Sequence, residues 1–411
     1  MRVHHTVCCG IDVHKKSVTA CLMWGPADRE PEFEIRRFGT MTLQLKGMVE
    51  WLKQANCEIV AMESTGAYWK PVWNVLEGEV ELILANAKQV RSLPGEKTDN
   101  KDGKRLASYL RHGLIRPSFV PPQDIRELRD LTRYRQKLLA TGAAERNRIQ
   151  KLLEDANIKL GSVLSDVFGV SGQRMLQALV KQPSADVEQV AALAHWSLVP
   201  KIEQIKHALE GRVTAHHRFM IDLSLGHMKH IEEQIVRLDE EIARHIEPYR
   251  KQFELLQTIP GIGENASAAV LAEIGPDMSP FDDDGKLASW AGICPGNNES
   301  GGKKLSSNTR KGNLHLVSTL VESAWASTHA KNCQFKNRYH RIRSRRGPQR
   351  AIVGVAHALL RTIYVVLKTG EPYQEPLRPV LTENRRNRKA ERLTRELRNL
   401  GYDVIVRIKT A

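Results

Sequence analysis

The chain has 411 residues, with 62 Lys and Arg against 47 Asp and Glu, a net charge of +15 and a pI near 9.6. That length exceeds one small domain, and that charge favours a polyanionic partner, nucleic acid ahead of a membrane surface. No stretch reads as a membrane span or signal peptide, because the longest apolar run, 351–367, carries His357 and Arg361 and the first residues lack a long apolar segment. The six cysteines (Cys8, Cys9, Cys21, Cys57, Cys294, Cys333) form no C-x-x-C pair, and four sit in or beside apolar runs. They are expected to be buried thiols of a reduced, cytoplasmic protein without structural zinc, associated with the nucleoid when it acts.

From the N-terminus, the patterning predicts strands at 5–13, 17–24 and 32–40, a helix at 42–55 and a strand at 58–63. A helix at 67–77, a strand at 80–86 and a helix from Asp99 to about His112 follow. A meander of three strands, then alternating helices and strands, is the order of a ribonuclease H-like sheet. A linker at SFVPPQD then leads into a long helical region where Arg126, Arg129, Arg133 and Lys137 recur at helical spacing, followed by Arg146, Arg148 and Lys151. With Tyr134 and Asn147 interleaved, this face reads as a phosphate-backbone contact surface; an ordinary solvated face is the alternative. Met228, Ile231, Ile235, Leu238 and Ile242 follow a 3–4–3–4 spacing, which supports a short coiled coil or helical hairpin. Packing within one chain and dimerisation explain that stripe equally well.

At LLQTIPGIGENASAAVLAEIG the pattern of helix, P-G-I-G and helix resembles a helix–hairpin–helix whose glycines expose backbone amides to a DNA phosphate. A helix pair joined by a glycine turn is the even alternative. FDDDGKLASWAGICPGNNESGGKKLSSNTRKGN reads as a loop rich in Gly, Ser, Asn and Lys between two helices. RYHRIRSRRGPQR holds six arginines and no acid, and a basic tail helix ends in a β-like run, GYDVIVRI. Both basic stretches suit a polyanion, though such a tail also serves as a solubilising appendage. The expected domains are 1–120, 121–250, 251–372 and a tail at 373–411.

Four acids carry the chemistry. Asp12 lies in VCCGIDVHKKSVTACLMW between two apolar runs, and Glu63 closes CEIVAMES. Asp99 and Asp102 stand three apart in KTDNKDGKRLASYL, so they share one helical face. Two strand-end carboxylates and a helical acidic pair are what a two-metal phosphodiester-cleaving site requires. Magnesium takes carboxylate oxygens and leaves positions for substrate phosphate, and two ions can clamp the attacking and leaving oxygens. Each acid alone has a plain structural explanation, a strand ending at a polar turn or an acid favoured at a helix N-terminus. Together, on elements that converge in one fold, they read as metal ligands. His14, Lys15 and Lys16 beside Asp12 are candidate phosphate contacts.

GIDVHKKS, MESTGAYW, KTDNKDGKRLASYL and ELRDLTRYRQKL resemble the N-terminal half of the DEDD-type transposases of bacterial insertion sequences. That is the insertion-sequence one-ten group, which includes the Piv-type DNA invertases. TIPGIG, the segment FDDDGKLASWAGICPGNNESGGK and TRKGNLHL resemble its C-terminal half. The resemblance implies an α/β ribonuclease H-like domain of the RuvC type, a central helical or coiled-coil region and a mainly helical C-terminal domain with a serine loop. It implies that Asp12, Glu63, Asp99 and Asp102 bind two Mg²⁺ ions and that Ser300, in the Ser-Gly motif, is a nucleophile forming a phosphoserine intermediate. It further implies DNA donor and target, an element-encoded guide RNA, and a homodimer or homotetramer in which the two domains meet across protomers. Gly301 and Gly302 would let backbone approach the strand, and Lys303, Lys304, Arg310 and Lys311 join Lys15, Arg126, Arg129 and Arg133 as nucleic-acid contacts. Gly103 departs from the alanine usual in the family, at a cost to the helix of up to about 1 kcal/mol. Two rivals stand beside this reading: a hydrolytic, structure-specific nuclease, and a non-enzymatic scaffold whose acids are structural.

Overall fold

A computed structural model describes residues 2–64, 66–86, 99–182, 186–295, 298–301, 303–306, 309, 311–375 and 383–406. The side chains of 99–101, 298–300, 303–306, 383–386, 388 and 389 are outside that description. The chain divides into two compact units, Met1–Pro122 and Gln123–Ala411.

The first unit is a five-stranded mixed sheet in the order β3-β2-β1-β4-β5, the arrangement expected of a ribonuclease H-like sheet. Its strands are β1 (Val7–Val13), β2 (Ser17–Trp24), β3 (Glu32–Gly39), β4 (Ile59–Glu63) and β5 (Glu81–Ala85). β1 pairs antiparallel with β2 and parallel with β4, and β4 pairs parallel with β5. Because side chains alternate across a strand, Cys9, Ile11 and Val13 face one core and Cys8 the other. The first core is closed by α1 (Thr42–Gln54) and α2 (Trp69–Leu76). Leu45, Met48, Val49 and Leu52 make the apolar stripe of α1 at the i, i+3, i+4, i+7 spacing that one helix face requires. On the opposite face lies α3 (Asp99–Arg111), which buries Leu106, Ala107 and Leu110 against Cys8, Cys21, Met23, Ile59 and Ala61. Each of its two leucines contributes about 1.5–3 kcal/mol by burial.

All six cysteines are free thiols, five of them buried. Burial pushes the Cys8 and Cys57 thiols up to about 12 and Cys21 up to about 11. They are inert core residues in the protonated form.

The second unit is helical apart from a small β-hairpin. Its spine is a pair of long helices, α4 (Gln123–Asp155) and α9 (Ala215–Ile246). Arg135 meets Asp239, Glu145 meets His227 at 3.2 Å and Asp155 meets His217 at 2.8 Å. Residue numbers rise along one helix as they fall along the other, so the two run antiparallel for about 48 Å at 1.5 Å per residue. Met228, Ile231 and Ile242 are buried in α9, which places the expected stripe in a hairpin within one chain. Between the long helices, α5 (Leu160–Val163), α6 (Val170–Lys181), α7 (Val187–Ala191) and α8 (Ile202–Leu209) close a separate core around Leu160, Met175, Leu176, Ile205 and Leu209. The sequence reading assigned no elements there.

At the other end follow α10 (Arg250–Gln257), α11 (Glu264–Ile274), α12 (Asp284–Ala291), the hairpin β6 (Asn298–Ser300) and β7 (Lys303–Ser306), α13 (Leu314–His329), α14 (Gln334–Arg346), α15 (Pro348–Thr369) and α16 (Glu383–Asn399). α15 is the one described helix long and apolar enough to cross a membrane. Its Ala351, Val355, Leu359, Leu360 and Ile363 are buried, as in a core helix. The glycine turn between α10 and α11 packs inward. A Cβ on Gly261 (φ +91°) would lie 2.4 Å from Ser323 O and 2.6 Å from Ser327 N, so this glycine is required by the close contact with α13. The β-like ending also differs from expectation, since residues 401–406 form no strand. An isolated segment with no partner has no ladder to join.

Candidate active site

The β1–β4 register aligns Ile11 with Met62, so Asp12 and Glu63 follow side by side at the C-terminal ends of neighbouring parallel strands. Such strands lie about 4.8 Å apart, and both acids belong to the sheet face covered by α3. Two contacts fix that helix. At its C-terminal end Arg111, 1 % exposed, donates to the carbonyls of Thr6, Gly25 and Pro26 at 2.8–3.0 Å. At the crossing point, a Cβ on Gly10 would stand 2.3 Å from both Ala107 N and Gly103 O. Backbone lies on backbone there, and α3 runs antiparallel to β1. Its N-terminal turn, with Asp99 and Asp102, therefore reaches the end of β1 that bears Asp12.

Gly103 has a related explanation. A Cβ there would meet Gly10 O at 3.2 Å and Thr19 O at 3.3 Å, tight but within a small adjustment. Glycine relieves this squeeze at some cost in helix propensity. Gly10 allows no such adjustment. Gly10→Ala is expected to lower stability by about 1–3 kcal/mol through overpacking and to displace α3. Urea unfolding of the variant checks this, and an unchanged midpoint would contradict the packing described.

His14 Nε2 lies 3.0 Å from Asp12 Oδ2. Arg105 Nη2 lies 2.8 Å from Asp102 Oδ1, but at an angle that makes no hydrogen bond. Asp102 Oδ1 and Arg105 Nε are each buried without a hydrogen-bond partner. Asp102 is ion-paired with Arg105, and carboxylate oxygens of this kind are what a hard divalent cation takes as ligands. Among the described residues no three acidic, His or Cys side chains already form a closed ligand cluster. The side chain of Asp99 is outside the described set. Arg105 and Arg111 were not singled out from the sequence. Arg105 had a readable signal, its i, i+3 spacing from Asp102, whereas the role of Arg111 arises only from the tertiary fold.

Ser300 ends β6 opposite Lys303, across a turn in which Gly301 takes φ +56°. The side chains of Ser300, Lys303 and Lys304 lie outside the described residues, as does Arg310. Pro295 bridges Thr309, and a Cβ on Gly312 would stand 2.3 Å from Ala291 O. Asn313 N donates to Ala291 O at 3.1 Å, and its Oδ1 caps α13 by accepting from Leu316 N. α12 was read as loop. Asp283 as its cap (2.7 Å from Lys286 N) and the left-handed Gly292 at its end are the signals that mark it.

The arginines of α4 require a correction. Arg133 donates Nε to Glu273 Oε1 at 2.7 Å and Nη2 to Oε2 at 2.8 Å. Arg129 donates to the carbonyls of Ala272 and Glu273 at 2.9 and 2.8 Å. Both were expected on a phosphate-contact face, and both are instead committed inside the helical unit. Burial would raise the Glu273 carboxyl, but hydrogen bonds from Arg133 and Asn313 and the two arginine charges hold it below its usual range. Arg126 is half-buried, and Lys15 and Lys311 are exposed.

A five-stranded sheet in this order, with acids at the ends of adjacent parallel strands and at the start of the covering helix, defines a ribonuclease H-like class of protein. A DEDD-type IS110 transposase model matches residues 9–158, and a model described as the IS116/IS110/IS902 transposase family matches residues 253–340. The chain belongs to the IS110 family of transposases. It is 28 % identical over 376 residues to the pilin gene-inverting protein of Moraxella bovis, covering 89 % of this chain and 97 % of that one. It is 26 % identical over 275 residues to an uncharacterised insertion element IS116 protein of Streptomyces clavuligerus, covering 57 % of this chain and 63 % of that protein's length. Among solved structures, Thermus thermophilus RuvC aligns with 27 % of this chain and 99 % of its own at a TM-score of 0.23 and 14 % identity. A score that low adds nothing to the strand order.

Proposed function

We propose that this protein is a DNA recombinase that cuts and rejoins strands during transposition. Asp12, Glu63, Asp99 and Asp102 hold Mg²⁺, Ser300 is the nucleophile, and a guide RNA encoded by the element directs the choice of DNA. The single observation that supports the reading is the packing of α3 on Gly10, antiparallel to β1, which directs the N-terminal end of that helix toward the strand end that bears Asp12. When bound, Mg²⁺ would supply charge stabilisation at the scissile phosphate. The carboxylates hold the cation, and the serine hydroxyl attacks phosphorus. A phosphoserine ester forms, the P–O bond to the leaving strand breaks, and that strand departs as a hydroxyl after taking a proton. Attack by a strand hydroxyl on the ester reverses these steps and rejoins DNA.

One experiment tests the reading as a whole. The protein is expressed with its native flanking DNA, its bound nucleic acid is sequenced, and the complex is given Mg²⁺ and DNA carrying the element ends. One defined RNA and joined DNA products are expected, with binding that weakens steeply in salt as counterions are released. Random cellular RNA would count against guidance. Cut ends without joining would favour the hydrolytic nuclease, and intact DNA the scaffold.

A further inference from the structure

Glu273 sits on α11, 2 % exposed, yet it is charged and fully engaged. Arg133 of α4 grips it with two hydrogen bonds, and Asn313 Nδ2 donates to Oε2 at 2.5 Å. Arg129 approaches the same oxygen at 3.5 Å while fastening the backbone of residues 272 and 273. Asn313 is the residue at which the serine hairpin segment ends and α13 begins. Its other amide atom caps that helix, and its own N–H holds Ala291, where the segment starts. Gln136 adds a second tie between α4 and α13, donating to Thr319 at 3.0 Å and meeting His315 at 2.8 Å. A buried charge is costly unless fully paired, and a greasy residue of similar size would fill the space as well. What the ion pair adds is direction, because a guanidinium–carboxylate fork has one good geometry.

We propose that Glu273 is a positioning residue for Ser300: held by Arg133, it fixes Asn313 and so sets the base of the β6–β7 hairpin. The proposal rests on Ser300 as the nucleophile. It also gives the arginines of α4 and the Lys-Gly-Asn motif one shared task.

Glu273→Ala would leave two buried arginine contacts unpaired and could unfold the unit, so Asn313→Ser is the better test. Serine caps a helix as well as asparagine does, but its short hydroxyl cannot reach Glu273. The thermal midpoint is expected to fall by about 2–4 °C, with the fold retained, and the affinity for DNA to stay at wild type. Amide hydrogen exchange in peptides covering 298–306 should rise about tenfold, the factor expected for one lost charge-assisted hydrogen bond. Formation of the covalent protein–DNA adduct at saturating DNA should slow with it. Exchange unchanged in 298–306, or raised equally through α11 and α13, would overturn the proposal. Faster exchange with undiminished adduct would overturn it as well. Ser300→Ala run in parallel tells that failure apart from failure of the nucleophile assignment, since it alone reports whether the adduct depends on Ser300.

Discussion

Ser300→Ala is expected to abolish both strand cleavage and the covalent protein–DNA adduct. Alanine has no oxygen to attack phosphorus, and deletion of a nucleophile costs on the order of 10⁴–10⁶ in rate. A hydrolase using water would keep cutting and would leave free ends. Ser306→Ala and Ser307→Ala should retain much of the activity, which separates the motif serine from its neighbours. Denaturing electrophoresis of a labelled-DNA reaction, followed by mass spectrometry of the shifted band, reads the result. An adduct mapped to another residue, or cutting at the normal rate by Ser300→Ala, would end the assignment.

Asp102→Asn is expected to remove Mg²⁺-dependent cleavage while the chain stays folded. Its partner Arg105 lies one helical turn away, and an i, i+3 pair of this kind is worth only about 0.2–0.5 kcal/mol. The loss therefore falls on the site: an amide offers a weaker ligand and no charge to a hard cation. Asp12→Asn, Glu63→Gln and Asp99→Asn should behave alike. Circular dichroism establishes the fold of each variant, and cleavage with Mg²⁺ establishes its function. Near-normal cutting by any two of the four would remove the acidic site as the source of activity.

The first unit was legible because its signals are local. Strands alternate, α1 carries its stripe, Asp12 and Glu63 stand at strand ends, and Asp99 opens α3. What could not be read there is how α3 lies on the sheet. That depends on Gly10 meeting Gly103 and Ala107 across about a hundred residues, and on Arg111 collecting three carbonyls. In the second unit the stripe on α9 was visible but its partner was not, because α4 shows a basic surface pattern that hides its buried Ile125, Leu128 and Leu138. The arginines misled for the same reason. Sequence spacing reports which residues share a helix face, not whether a buried Glu273 waits opposite them.

The antiparallel hairpin of α4 and α9 also works as a ruler. The small bundle at its tip is held away from α11 and α13 by a distance written in residue count, 1.5 Å for each residue. From Gln136, where α13 is tied, to the end of the helix at Asp155 the stand-off is about 28 Å. Adding one heptad to both helices would move the tip outward by about 10 Å and keep the seam in register, whereas adding it to one helix alone would break every cross-pair beyond the insertion.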